Sequence, residues 1–294
     1  MTSALIGLGQ KLAPGGTLRL THRGAYFETR SLIRTLPFVH DATFMQTADI
    51  VIDEPVCCDG QFHQIDTSKL LAASPKAVIF DTTLLGRDDG VDCYLAALDP
   101  AKDQIVLRIA SCLKLLQGGL ELANAGILSI YTRAESELPR DLRRIRTLTG
   151  AGLHLVDAIA LEAPWFLDAA QTDHFNTAIF DHNARLAHAV AETNTPFAPV
   201  LHPALTGGVA PYCAFQLADP SEQAYEALEA EIVAEAQKRN LLIANGGSFG
   251  FRGHRFEIVK PETGEPPFLR VAMGRRGGWS CEGIVTMMAA ISRR

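Results

Sequence analysis

KAVIFDTT (76–83) and IVLRIASCLK (105–114) decide the fold. Each is an apolar run that stops abruptly at polar residues. Neither alternates polar with apolar, so each reads as a strand covered on both faces, the pattern of a parallel sheet between layers of helix. Outward from this pair, DIVID (49–53) and GILSIY (126–131) have the same texture, and TLRL (17–20) is a further short strand. Residues 2–12 read as a helix ending before Pro14-Gly15-Gly16. Residues 25–36 form an amphipathic helix stopped by Pro37, and another helix starts near Asp66-Thr67. Strand–helix–strand alternation predicts an α/β fold with a mostly parallel sheet and flanking helices.

The second half has a different texture. Residues 135–192 read as mostly helical with a break at Pro164. A strand near 198–201 leads through Gly207-Gly208 to another at 212–218. Asp219-Pro220-Ser221-Glu222 then reads as a helix start, with Asp219 as N-cap and Pro220 at the first helical position, and the helix runs to about Asn240. Strands at 241–244, 254–259 and 268–273 and a last helix from about 279 complete a smaller C-terminal α+β domain. The expected division is a large domain over 1–168 and a small one over 169–294.

Composition narrows the function classes. The chain has 294 residues and a net charge of −6, from 27 Lys and Arg against 33 Asp and Glu. That balance gives no electrostatic footprint for nucleic acid. No apolar run approaches the roughly 20 residues that cross a bilayer. The opening MTSALIGLGQKLAPGG has no basic segment ahead of its short apolar stretch and does not read as a signal peptide. The six cysteines form no C-x-x-C pair, and no histidine spacing completes a zinc site, so no metal is expected. Scattered thiols of this kind read as buried and reduced, and a cytoplasmic setting is expected.

In parallel α/β sheets ligands gather beyond the carboxyl ends of the strands. Two strands end in suggestive residues there: KAVIF in Asp81-Thr82-Thr83, and IVLRIA in Ser111-Cys112-Leu113-Lys114. One reading is a salt bridge, or two solvated loop residues. The other is a pyridoxal phosphate site, in which a lysine amine forms a Schiff base and a carboxylate keeps the pyridine nitrogen protonated.

Five segments in order resemble the fold-type-I pyridoxal-phosphate enzymes, most closely their Cys/Met-metabolism (transsulfuration) branch. MTSALIGLGQKLAPGGTL is similar to that family's helix after its glycine loop and the turn that follows; GAYFETRSLI resembles its Y-x-x-T segment; VIFDTT resembles the strand ending in its pyridine-nitrogen Asp. SCLK resembles its S-x-T-K signature, and LIANGGSFGF with FLRVAMG resembles the C-terminal strands that carry a carboxylate-binding Arg. The resemblance implies Lys114 as Schiff-base lysine and base for the α-proton, Asp81 at the ring nitrogen, and Tyr26 stacked on the ring. It also implies Ser111 at the phosphate, Arg270 at the substrate carboxylate and Ser248 beside it. Plainer readings stand beside these: a surface lysine, core packing for Tyr26, an internal salt bridge for Arg270. Cys112 reads as packing.

The implied activity is β- or γ-elimination or replacement on an amino acid with a sulfur-bearing or related side chain. An aminotransferase is the alternative, favoured by SFGF and FLRVAMG, and a non-catalytic subunit is a third reading. Leu113 stands where the family has a phosphate-binding Thr, LLQGGLELANAG lacks the usual G-H, and EPVCCDG only partly echoes E-x-P-x-N-P. Met1 aligns just past the family's glycine loop, so about the first quarter of an ordinary member is expected to be missing. The chain alone is then expected to bind the cofactor weakly. A homodimer or tetramer, or a complementary N-terminal polypeptide, is the expected partner.

Overall fold

The computed structural model describes residues 1–57, 60, 62–86, 89–163, 168–193, 197–247, 251–260 and 266–291. Strands β1 (Leu18–Arg23), β2 (Val39–Asp41), β3 (Ile50–Asp53), β4 (Ala77–Asp81), β5 (Ile105–Ser111) and β6 (Gly126–Tyr131) form one sheet in the order β2-β1-β3-β4-β5-β6. The first five are mutually parallel, and β6 runs antiparallel to β5. The fold class expected from the sequence is present: a mostly parallel sheet with helices, and a second, smaller sheet. The very short β2 carries no sequence signal of its own.

Helices α1 (Thr2–Leu12), α2 (Phe27–Thr35), α3 (Thr67–Ala73), α4 (Asp89–Ala97) and α5 (Leu138–Leu148) connect or follow these strands. On one sheet face Leu5 and Leu8 of α1 and Leu138 and Leu142 of α5 pack on Leu20, Ile52, Ile79 and Leu107. On the other, Leu70, Val91 and Tyr94 cover Val51, Val78, Phe80 and Val106. Period-2 strands with both sets apolar are what make the runs unbroken in sequence.

β6 departs from that expectation in two ways. It is antiparallel because residues 112–125 fold as turns rather than as the helical crossover a parallel return needs. It is also the edge strand, and Gly126, Ile127 and Tyr131 are exposed, so GILSIY is not covered on both faces.

Helices α6 (Leu155–Leu161) and α7 (Ala169–Ala191) lead to strands β7 (Phe197–Leu201) and β8 (Cys213–Leu217). Helix α8 (Glu222–Lys238), strands β9 (Ile243–Asn245), β10 (His254–Val259) and β11 (Phe268–Ala272), and helix α9 (Trp279–Ile291) follow. The second sheet has the order β7-β8-β11-β10-β9. Leu186, Ile232, Ile284 and Met287 from the long helices bury one of its faces with Phe215, Phe256 and Leu269. Its other side meets loops of the first sheet through Tyr212, Phe268 and Phe175 against Val56, Leu85 and Leu115. The start of α8 lies two residues later than expected: Ser221 is the N-cap, its hydroxyl accepting the Ala224 N–H at 3.3 Å, while Asp219 instead accepts the Ser221 N–H in the preceding turn. Pro164, the expected helix break, lies outside the described residues.

Asn183, fully buried in α7, clamps that helix to the end of β11. Its amide donates to the Ile179 and Met273 carbonyls at 2.8 and 2.9 Å and accepts the Met273 N–H at 2.9 Å. Asn183→Ala strands two buried backbone groups and should lower the unfolding free energy in urea by about 3 kcal/mol. A loss below about 1 kcal/mol would show that the contact is dispensable.

His202 and His254 are buried, and burial pushes each imidazole pKa down from 6.5 to about 4. In His202 both ring nitrogens are committed, Nδ1 accepting the Ala204 N–H at 3.0 Å and Nε2 donating to the Ala210 carbonyl at 3.2 Å. Below pH 6.5 the unfolded chain takes up protons that the folded chain refuses until pH nears 4, so stability falls as pH drops through that window. The urea midpoint should decline steadily on going from neutral to mildly acidic pH, and His202→Gln should flatten the decline. An identical slope in wild type and variant would contradict the neutral, buried state of this imidazole.

Candidate functional site

Four parallel strands deliver polar residues to one edge of the sheet. β1 ends in Arg23 and turns at Gly24-Ala25-Tyr26, β3 ends in Asp53-Glu54, β4 in Asp81-Thr82-Thr83, and β5 in Ser111. The Gly24 turn is steric in origin. Its φ is +60°, and a Cβ there would stand 2.5 Å from the Glu54 carbonyl oxygen, so only glycine fits. That approach seats Tyr26 as the N-cap of α2, with its N–H donated to Glu54 Oε2 at 2.6 Å and its ring tilted against Phe27 at 4.4 Å.

Asp81 and Ser111 occupy the same sheet face. Asp81 is registered with Ile109, and Ser111 lies two residues further along β5. The Asp81 carboxyl accepts the Thr83 N–H at 3.0 Å, and the Thr83 hydroxyl accepts the Ser111 N–H at 3.0 Å. One threonine therefore ties the two strand ends together. Burial pushes the Asp81 pKa up, against the pull of the Thr83 hydrogen bonds, and among the described residues no side-chain cation pairs with it. The first residue of the chain lies within electrostatic reach of Asp81, so the amino end of α1 overlooks this carboxyl.

Lys114 sits in the turns that follow β5. The loop is stapled by Gln117, whose buried side-chain amide donates to the Ala123 carbonyl at 2.6 Å and accepts its N–H at 2.8 Å, imitating a strand pairing. The Lys114 ammonium lies 4.0 Å from the Glu121 carboxylate. An Asp81–Lys114 salt bridge, one of the two sequence readings, does not form. Cys112 is buried and burial raises its thiol pKa, which matches its reading as packing and keeps it protonated. Cys57, Cys213 and Cys281 are buried as well, whereas Cys93 is exposed, contrary to the expectation of buried thiols throughout.

Arg270, which the resemblance implies at the substrate carboxylate, meets a carboxylate of the chain itself. It pairs across the β10–β11 ladder with Glu257, and its guanidinium lies 5.6 Å from the centre of the Tyr212 ring. The internal salt bridge, the plainer sequence reading, is the one present. Ser248 lies outside the described residues. Two other arginines, Arg252 and Arg275, are exposed, join no ion pair among the described residues, and border a cavity of about 470 Å3 between the Leu116–Leu120 segment and the start of α7.

The sequence reading passed over a second polar cluster on this edge. Asp53 is fully buried and bonds His63 Nε2, with Arg23 Nη1 3.4 Å away on the neighbouring strand. The signal was available: Asp53-Glu54 ends an apolar strand just as Asp81 does.

No family model and no curated protein matches the sequence. Solved structures do. A protein assigned as an O-acetylhomoserine (thiol)-lyase of Campylobacter jejuni, carrying a pyridoxyl-lysine 5'-monophosphate residue, is 13% identical with a TM-score of 0.65 over 98% of this chain and 78% of its own. An O-acetylhomoserine sulfhydrylase of Wolinella succinogenes is 14% identical with a TM-score of 0.54, over 93% of this chain and 84% of its own. An alanine aminotransferase of Pyrococcus furiosus is 10% identical with a TM-score of 0.59, over 98% and 73%. At these identities the likeness is one of fold: the chain has the architecture of fold-type-I pyridoxal-phosphate enzymes.

Removing the partner of Arg270 leaves an uncompensated charge in a site where its side chain is 10% exposed. Glu257→Gln should therefore lower the unfolding free energy by about 3 kcal/mol, and adding Arg270→Met should recover part of it. If Glu257→Gln leaves stability unchanged, the pair is not structural, and Arg270 is available to a ligand.

Proposed function

We propose that this chain is a pyridoxal-phosphate-dependent enzyme acting on an amino acid, of the carbon–sulfur lyase or β/γ-replacement type. The observation that carries the reading is Asp81: a half-buried carboxyl with a raised pKa and, among the described residues, no side-chain cation beside it, at a strand end adjoining Ser111 and the Lys114 loop. A ring N–H donor would satisfy that carboxyl. The donor set fits the cofactor in kind: an aromatic ring at Tyr26 after β1, a carboxyl at the end of β4, and the Ser111 hydroxyl and Lys114 amine at and after the end of β5, all at one sheet edge.

When bound, the cofactor supplies an electron sink for charge developing at the substrate's α-carbon. In this reading Asp81 holds the ring by its nitrogen and favours the protonated form. Lys114, now beside Glu121, would supply the amine that holds the cofactor and the base that moves the proton at the α-carbon. Ser111 donates to the phosphate. With Arg270 engaged by Glu257, the substrate carboxylate falls to Arg252 and Arg275, whose planar donor forks suit it. The sulfur-directed chemistry is supported by the two acetylhomoserine-processing structures, and an aminotransferase by the third. Among the described residues no helix is long and apolar enough to cross a membrane, and free thiols fit a reducing, cytoplasmic setting.

Incubation with pyridoxal phosphate, borohydride reduction and peptide mapping should place a phosphopyridoxyl group on Lys114 among the seven lysines. Lys114→Ala should abolish the label, and Asp81→Asn should weaken cofactor binding by tenfold or more, the worth of one hydrogen bond to a charged group, about 1.5–3 kcal/mol. Labelling of another lysine at full stoichiometry would sink the assignment.

A further inference from the structure

Arg108 lies in the interior of β5 on the sheet face opposite Asp81. Asp81 is registered with Ile109, the next residue, so strand alternation turns Arg108 to the other side. Directly across on β6 is Ser129, with Ile127 beside Ala110 and Tyr131 beside Val106 on the same face. The helices α3 and α4 cover this face over Val51, Val78, Phe80 and Val106, and beyond that cover the sheet opens into a cavity of about 220 Å3. Arg108, Ser129 and Tyr131 border it, together with Thr82 and the apolar side chains of Leu115 and Ile127.

Three of the four other strand arginines meet a carboxylate, and Arg255 on β10 meets none among the described residues. Arg19 lies 3.5 Å from Asp49, Arg23 lies 3.4 Å from Asp53, and Arg270 pairs with Glu257. Arg108 meets none among the described residues. Its Nε donates to Thr82 Oγ1 at 3.3 Å, the other four N–H donors of the guanidinium have no hydrogen-bond partner among the described residues, and the side chain borders the cavity. A half-buried cation is costly without a counter-charge, and a planar fork of donors is best met by a carboxylate.

We propose that this cavity binds a small organic monocarboxylate with a short apolar body, at a site separate from the Asp81–Lys114 edge. The carboxylate seats on the Arg108 fork, with the Ser129 hydroxyl in reach as a further donor. The apolar remainder lies against Leu115 and Ile127. A single cation balances a monoanion but leaves a phosphate dianion half-neutralised, and the Leu115 and Ile127 side chains suit an apolar body. The site does not depend on the proposed cofactor.

Calorimetric titration of the purified chain with butyrate, 2-oxobutyrate and inorganic phosphate tests this. Saturable one-to-one binding of a carboxylate is expected, about tenfold or more weaker in Arg108→Gln. It should be lost in Ser129→Phe, which fills the cavity and keeps the arginine, and unchanged in Lys114→Ala, with thermal melts confirming that each variant is folded. No saturable binding of either carboxylate up to tens of millimolar, binding that Arg108→Gln leaves intact, binding lost in Lys114→Ala, or phosphate bound as tightly as the carboxylates would each overturn the proposal.

Discussion

The hydrogen bond from the Ser111 N–H to the Thr83 hydroxyl joins the ends of β4 and β5, and the residues at the site edge are arranged around it. The same threonine presents its N–H to Asp81, so the position of that half-buried carboxyl and the exit direction of the Lys114 loop are set by one side chain and its backbone. Parallel pairing from Ala77↔Ile105 to Asp81↔Ile109 brings these ends level, because evenly spaced parallel ladders keep strand termini aligned. Everything polar that leaves the sheet at that edge must then find its partner within a few residues, or from a ligand.

Two electrostatic solutions to that requirement coexist on the edge. At Asp53 the partners are internal, His63 and Arg23 closing around a fully buried carboxylate. At Asp81 the Thr83 hydrogen bonds are the only side-chain contacts among the described residues, and burial raises the pKa. The contrast matters because a satisfied carboxylate is part of the scaffold, whereas an under-satisfied one in a strand-end position is a candidate to receive a donor from outside. Arg108 on the other sheet face presents the same situation with the sign reversed. Thr82 and Thr83 lie between the two, so a single turn borders both.

The neighbours in fold include an O-acetylhomoserine (thiol)-lyase, an O-acetylhomoserine sulfhydrylase and an alanine aminotransferase, which are enzymes of different reactions. A shared architecture positions strand ends; it does not choose among chemistries. The choice lies in local features such as Leu113 just before Lys114, Glu121 near the Lys114 ammonium, and an Arg270 engaged by Glu257.

The unbroken apolar runs at 50–52, 77–80 and 105–107 determined the parallel sheet by themselves, because only a strand buried on both faces lacks alternation. Asp81 and the Lys114 segment were legible for the same reason, as the first polar residues after such runs. Other features were decided only by tertiary structure. GILSIY looks like its neighbours in sequence, and its direction followed from a turn-rich connection and its place at the sheet edge. Arg270 reads as a lone charge in an apolar strand until the β10–β11 register sets Glu257 opposite it. Arg108 reads as one polar residue within a buried strand. Its exposure to a cavity rests on the uncovered face of β6, which depends on which helices pack where and is not written in any local pattern.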